Sequence, residues 1–406
     1  MSLALQPTNP ILTPGLNLPK ITKARIHEVV NRVNIERAKH GKSQIDPEKP
    51  LLHVAVGKSV FFDVTKGYSG PKNDLKAWSK FMADNAEVKL PQGRAYPFVR
   101  RLLDMNQLAP DPRTDPLVQV DFITQINQQA FPRIYNSLIS HGLAKHMDRS
   151  LLTTTWLNYG TSSDANIEAV VDTIVKSGAH FYIASKKEYA EAVIENANIG
   201  AAQMLPDENL RPYDPSKPGI LVFDGDGVLW GDGAERVFQN NFKLGLKEAK
   251  EQGMNEAQTE EYSYTKAVTE FNKYVYENRN NPESDGPASE LFVRLNILNE
   301  LWELDGDRRL TPFDIRLLTA RGHIGQSQAF QYFAQNGIQV PQRASFMSGR
   351  LKNRYLVGAD LYVEDSKKHL IKTENMPVED RPQGRALIPA GVKNEGGITL
   401  ETAPED

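Results

Sequence analysis

Apolar positions first settle into a period at Ile26, Val29, Val30, Val33 and Ile35, with charged residues between them. Spacings of three and four residues predict an amphipathic helix over Ile21–Lys39. Ahead of it lies a leader broken by Pro7, Pro10, Pro14 and Pro19. From Leu51 the pattern changes to short apolar runs separated by polar stretches of helical period. Such alternation predicts an α/β fold with a mainly parallel sheet. A long, polar stretch over 233–310, carrying Tyr262, Tyr264, Tyr274 and Tyr276, predicts a helical insertion. Residues 373–406, rich in Pro, Gly and Glu, predict an irregular tail.

The alternation repeats once. Gly178-Ala-His-Phe-Tyr-Ile-Ala-Ser-Lys-Lys187 lines up with Gly358-Ala-Asp-Leu-Tyr-Val-Glu-Asp-Ser-Lys-Lys368, and the stretch from Phe98 to Leu108 with that from Phe292 to Leu301. Asp121-Phe-Ile-Thr124 precedes Gly142 by the same spacing with which Arg316-Leu-Leu-Thr319 precedes Gly337. Val54–Val60 pairs more loosely with Leu221–Gly227. The shared order predicts two copies of one unit, over 51–205 and 217–372, after a leader and helix over 1–50. The proline-rich stretch from Pro206 to Pro218 reads as the linker. The copies differ at strand ends: Asp224, Asp226, Glu364 and Asp365 in the second face Gly57, Ser59, Ala184 and Ser185 in the first. The first therefore reads as degenerate, a scaffold or effector surface without catalysis.

Composition narrows the chemistry. A formal net charge of −3 argues against a broad electrostatic surface for nucleic acid. There is no cysteine, which excludes disulfides, thiolate metal sites and a cysteine nucleophile. The leader lacks a basic start and a long apolar stretch, and no apolar run reaches the roughly 18 residues of a membrane span. The expectation is a soluble, cytoplasmic protein with no membrane partner; its oligomeric state is not legible.

Four strand ends carry candidate chemistry. Gly219-Ile-Leu-Val-Phe223 runs into Asp224-Gly225-Asp226-Gly227. In open parallel sheets ligands bind at the carboxyl ends of strands, and residues two apart on an extended segment face the same way. One carboxylate could attack phosphorus and the other could donate and later accept a proton. A hard cation such as Mg²⁺ suits these oxygens. Ile315-Arg-Leu-Leu-Thr319-Ala-Arg321 offers a hydroxyl, helix-start amides and a guanidinium for an anion. Lys352 could neutralise nucleophile and phosphate together, with Arg350 or Arg354 as competitors. Leu361-Tyr-Val-Glu364-Asp365 supplies a second pair of acids. Each element alone also fits a plainer reading: a turn, a helix cap, a surface lysine, solvated acids. An EF-hand loop is disfavoured by Val228 and Leu229 and by the preceding strand, and Gly225, Gly227 and Gly231 miss the dinucleotide spacing.

The order of these elements resembles the four motifs of the haloacid dehalogenase-like hydrolase superfamily. Phe223-Asp-Gly-Asp-Gly-Val-Leu229 with Glu235-Arg236, Leu318-Thr-Ala-Arg321, Gly93-Arg-Ala-Tyr-Pro-Phe-Val99 and Ala55-Val-Gly-Lys-Ser-Val-Phe-Phe-Asp63 resemble its type I cytosolic 5′-nucleotidases, from Leu51 to about Leu370. The resemblance implies a Rossmann-like sheet with a cap inserted over the site. It implies Mg²⁺-dependent release of nucleoside and phosphate from a nucleoside 5′-monophosphate such as AMP, through an aspartyl-phosphate. Asp224 would be nucleophile, Asp226 acid and base, and Thr319, Arg321 and Lys352 phosphate ligands. Asp224, the Asp226 carbonyl and Asp365, with Glu364 as alternative, would hold the metal. The chain departs from the family's pattern at Gly227, at Trp230-Gly-Asp232 and at Thr124-Gln125-Ile126, which puts the nucleoside preference in doubt. A phosphatase acting on another small phosphoester, or a nucleotide-binding regulator, are the competing readings.

Overall fold

The computed structural model describes residues 20–394 apart from 72–73, 126–127, 149–150, 158–162, 208–209, 282, 303–310, 342 and 350–351. Expectations for the leader, for Ile126 and Arg350, and for the end of the tail lie outside the described residues. The strands are β1 (Leu52–Gly57), β2 (Val118–Gln125), β3 (Leu152–Leu157), β4 (Phe181–Ala184), β5 (Gly200–Met204), β6 (Gly219–Phe223), β7 (Phe313–Thr319), β8 (Arg343–Phe346), β9 (Leu361–Glu364) and β10 (Gly384–Leu387). They form one ten-stranded sheet in the order β3-β2-β1-β4-β5-β10-β9-β6-β7-β8. All ladders are parallel except the antiparallel pairing of β10 with β5 at the centre. All six residues of β1 are buried. That is the environment in which parallel strands read as continuous apolar runs.

Numbered within itself, each half has its strands in the order 3-2-1-4-5, and the two halves meet at their fifth strands. Register matches as well. Val56 faces Phe122 and Ile183 in the first half; Phe223 faces Leu317 and Val363 in the second. Gly57 thus stands where Asp224 does, Thr124 where Thr319 does, and Ala184 where Glu364 does. The paired sequence segments fall on corresponding strands and helices.

Three expectations change. The N-terminal helix spans Lys23–Lys39, capped by Thr22, and buries Val29, Val30 and Val33, whereas Ile35 is exposed. Arg37 on its inner face pairs with Glu290 and donates to Asn336 at 3.1 Å. The supposed irregular tail contains β10, four buried residues that seal the seam between the halves. A strand so short, flanked by proline and glycine, leaves little periodicity to read. The insertion, expected over 233–310, is a hairpin of helices Gly233–Glu251 and Glu256–Glu277. Helix Ser289–Glu300 instead buries Leu291, Phe292, Val293, Leu295, Ile297 and Leu298 in the main core. Asn255 and Gln258 form a capping box at the hairpin turn. The two helices close tightly at Gly245, where a Cβ would lie 2.6 Å from the Ser263 Cα.

Candidate active site

At the end of β6 the chain must turn out of the sheet without filling the space above it. The Asp224 amide donates to the Val363 carbonyl of β9 at 2.9 Å, and the Leu229 amide folds back to the Gly225 carbonyl at 2.8 Å. Gly227 sits at φ +72°, and a Cβ there would lie 2.4 Å from Asp365 Oδ2. The position needs glycine both for its backbone and for the carboxylate packed against it.

Asp224 and Glu364 share one ammonium. Lys352 Nζ lies 2.8 Å from Asp224 Oδ2 and 2.8 Å from Glu364 Oε2. Glu364 also accepts from the Tyr362 hydroxyl and, at 3.2 Å, from the Ser366 amide, with His369 Nδ1 at 3.3 Å. Burial and the neighbouring Glu364 push Asp224 up to about 7, against Lys352 and Lys393. Burial would raise Glu364 too, but Lys352 and His369 overcome it and hold its carboxyl well below the usual range. Arg354, one of the expected competitors, is exposed and lies over the Tyr355 ring.

Asp365 is fully buried. Its Oδ1 lies 2.9 Å from Lys393 Nζ, and its Oδ2 has no hydrogen-bond partner among the described residues. Thr319 is buried at the end of β7, with Oγ1 accepting from the Arg321 amide at 3.1 Å. Arg321 is not aimed at open space. Its Nε lies 3.0 and 2.9 Å from the two Asp226 oxygens, its Nη2 lies 3.0 Å from Glu283 Oε1, and it also bonds Gln328. Burial opposes charge on Asp226, but Arg321 keeps its carboxyl below the usual range. Glu283 in turn accepts from the Gly233 and Ala234 amides at 2.8 and 3.0 Å. The guanidinium therefore fastens the first turn of the helical hairpin to the strand end.

Between these strand ends and the hairpin lies a cavity of about 470 Å³, inside the ~300–1,000 Å³ range of small-molecule sites. Asp224, Asp226 and Lys352 line one side, and Phe238, Tyr264 and Phe271 of the hairpin line the other. The donor set fits a hard cation. Ligand atoms of Asp224, Glu364 and His369 lie within 4.8 Å of one another, and beside them the buried Asp365 Oδ2 keeps its lone pairs uncommitted. Glu364 is already saturated by donors, so Asp365 is the better placed of the two acids for a metal.

A family model described as 5′-nucleotidase matches residues 44–262 and 253–394. The chain belongs to the 5′-nucleotidase family. It is accordingly a phosphoric monoester hydrolase, and its chemistry is the hydrolysis of phosphate from nucleotides. The match runs beyond Leu370, where the sequence resemblance was placed, and takes in Lys393. No curated protein and no solved structure matches the nucleotidase. No described helix is long and apolar enough to cross a membrane.

Sequence reasoning missed Lys393, Glu283 and His369. His369 had a usable signal, an imidazole one helical turn beyond the Glu364-Asp365 pair. Lys393 and Glu283 had none, because each reaches the site from a segment far away in the chain.

Proposed function

We propose that this nucleotidase hydrolyses nucleoside 5′-monophosphates, AMP among them, through a phosphorylated Asp224 and with Mg²⁺. The observation that carries this reading is Lys352 bridging Asp224 and Glu364 at the floor of the cavity, with an unpaired Asp365 oxygen beside them. Asp224, the Asp226 carbonyl and Asp365 would hold the ion. When bound, Mg²⁺ offsets repulsion between the carboxylates and the phosphate dianion.

Thr319 and Lys352 bind the phosphate oxygens and orient phosphorus toward Asp224. An Asp224 oxygen attacks, the bond to the ribose 5′-oxygen breaks, and Asp226 supplies the proton that oxygen needs. Asp226 then takes a proton from the water that cleaves the aspartyl-phosphate. To carry a proton, Asp226 must be released by Arg321, which is then free to meet phosphate. The strand order and register common to the two halves support reading them as two haloacid dehalogenase-like units, the first without its carboxylates. The aromatic wall of Phe238, Tyr264 and Phe271 suits a nucleobase.

Phosphate release from a panel of phosphoesters with Mg²⁺ tests the assignment. Nucleoside 5′-monophosphates are expected to exceed sugar phosphates in kcat/KM. Equal or better turnover of a sugar phosphate would overturn the substrate class.

Lys393 carries a prediction of its own. Losing an orienting partner of a metal ligand weakens metal binding about 10–100-fold. Removing an ammonium next to a divalent ion works the other way, and the repulsion relieved is on the order of several kcal/mol at an effective dielectric near 20. Coulomb repulsion wins, because Lys393 Nζ stands 2.9 Å from the Asp365 carboxylate. Lys393→Met is expected to bind Mg²⁺ at least about tenfold more tightly by calorimetry. Unchanged or weaker binding would leave Lys393 as an orienting group alone.

A further inference from the structure

Arg321 divides its hydrogen bonds between two acids. Three contacts go to Asp226: Nε lies 3.0 and 2.9 Å from the two carboxyl oxygens, and Nη2 lies 2.5 Å from Oδ1. Nη2 also lies 3.0 Å from Glu283 Oε1, and Nη1 donates to Gln328. The guanidinium is 1% exposed and sits 5.3 Å from the centre of the Trp230 ring. The two acids are held in different ways. Asp226 lines the cavity, and Arg321 holds both of its carboxyl oxygens. Glu283 is pinned by main-chain donors, the Gly233 and Ala234 amides at 2.8 and 3.0 Å. These are the first amides of helix Gly233–Glu251, which the helix leaves unpaired and where a carboxylate is favoured. The segment carrying Glu283 is laced to the turn after β6. The Gly231 amide donates to the Ser284 carbonyl at 2.8 Å, and the Gly286 and Ala288 amides donate to the Leu229 and Val228 carbonyls at 2.9 Å.

We infer that Glu283 is the positioning residue that takes over Arg321 while Asp226 turns to the leaving group. The inference rests on reading Asp226 as the acid that protonates the ribose 5′-oxygen. With both of its oxygens on Arg321, the Asp226 carboxyl is committed and cannot serve that oxygen. Freeing it would leave a buried guanidinium with no acid, a strongly disfavoured state. Glu283 removes that obstacle. Nη2 already touches both acids, so the guanidinium can settle on Glu283 and Gln328 without leaving its place beside Trp230. Its Nε is then open to a phosphate oxygen. As the bond from phosphorus to the 5′-oxygen breaks, its electron pair stays on that oxygen, which takes the proton from Asp226. Glu283 touches no reacting atom and acts through Arg321 alone.

The test compares AMP with its 5′-S-phosphorothiolate analogue, in which sulfur replaces the bridging 5′-oxygen. Base, ribose and phosphoryl group are the same in both, but a thiolate leaves without needing a proton. The readout is kcat/KM on the full-length protein, which covers the steps through cleavage of the bond to phosphorus and not the later hydrolysis of the aspartyl-phosphate. Asp226→Asn should lower this value for AMP by about 10²–10⁴, the contribution of a positioned acid. For the sulfur analogue the loss should stay below about tenfold. Glu283→Gln, nearly unchanged in shape, should lower the AMP value by about tenfold or more and leave the analogue within about twofold of wild type. Glu283→Asp, which keeps the charge, should recover part of the loss on AMP, and it replaces Glu283→Gln in the comparison if thermal melts show that the glutamine variant does not fold. A residue that only seats the hairpin would cost both substrates equally. That result, or an AMP value in Glu283→Gln equal to wild type, would overturn the inference. If Asp226→Asn itself costs both substrates equally, the acid assignment fails and takes this inference with it. If Asp226→Asn separates the substrates and Glu283→Gln does not, the acid assignment stands and this inference alone falls.

Discussion

Asp224→Asn is expected to lower nucleotide turnover by about five orders of magnitude or more while the fold survives, since losing a nucleophile removes the covalent route altogether. Asparagine keeps the volume and can still accept from the Gly225 amide, which donates to Asp224 Oδ1 at 2.8 Å. Stability should move with pH in a defined direction. Asp224 is pushed up to about 7 in the folded, metal-free protein, against about 4 for an unfolded aspartate. A folded state that binds the extra proton is favoured below about 4 and loses that contribution as pH rises through 7. In EDTA, the melting temperature of the variant relative to wild type should therefore be higher at pH 8 than at pH 5. Phosphate release and thermal melts check both parts. Turnover within tenfold of wild type would remove Asp224 from the mechanism.

Lys352→Met is the second large effect. The ammonium is 8% exposed and lies between two carboxylates. Burial opposes its charge, and Asp224 and Glu364 more than restore it. Removing a preorganised charge that meets the transferring phosphoryl group costs about 10²–10³ in turnover. The structural cost is separate. Breaking a buried ion pair by deleting one partner typically costs about 3–5 kcal/mol, and here two acids are left facing each other. Urea unfolding in EDTA should show a loss of that order, and Mg²⁺ should stabilise the variant more than the wild type. Unaltered stability without metal would mean that Lys352 does not hold these acids together in solution.

The parts of this architecture legible in the sequence share one physical trait. Asp224, Thr319 and Glu364 each end a run of buried apolar residues, so strand and polar terminus announce one another. The likeness between segments that fall on corresponding strands was legible for the same reason, since covered parallel strands constrain composition on both faces. What escaped was made by distance. Glu283 reaches Arg321 from the segment that follows the hairpin, and Lys393 reaches Asp365 across a segment with no period at all. The extent of the insertion was misjudged because the buried helix Ser289–Glu300 follows the hairpin directly, with no strand between them. Its own likeness to the Phe98 segment was the better guide. Arg321 was read as a phosphate ligand because a guanidinium beside a hydroxyl looks available; its pairing with Asp226 and Glu283 could not be seen from Leu318-Thr-Ala-Arg321.

The antiparallel seam between β5 and β10 also bears on how the molecule is made. β10 is the last of these strands to leave the ribosome, so nascent chains pass through a stage in which β5 and β9 are both naked borders. Such borders recruit strands from other chains. A polypeptide halted before Gly384 would carry Asp224, Asp226, Glu364 and Asp365, no Lys393 beside Asp365, and two adhesive margins. Such a product should accumulate as aggregate, even though the residues it lacks look expendable in the sequence.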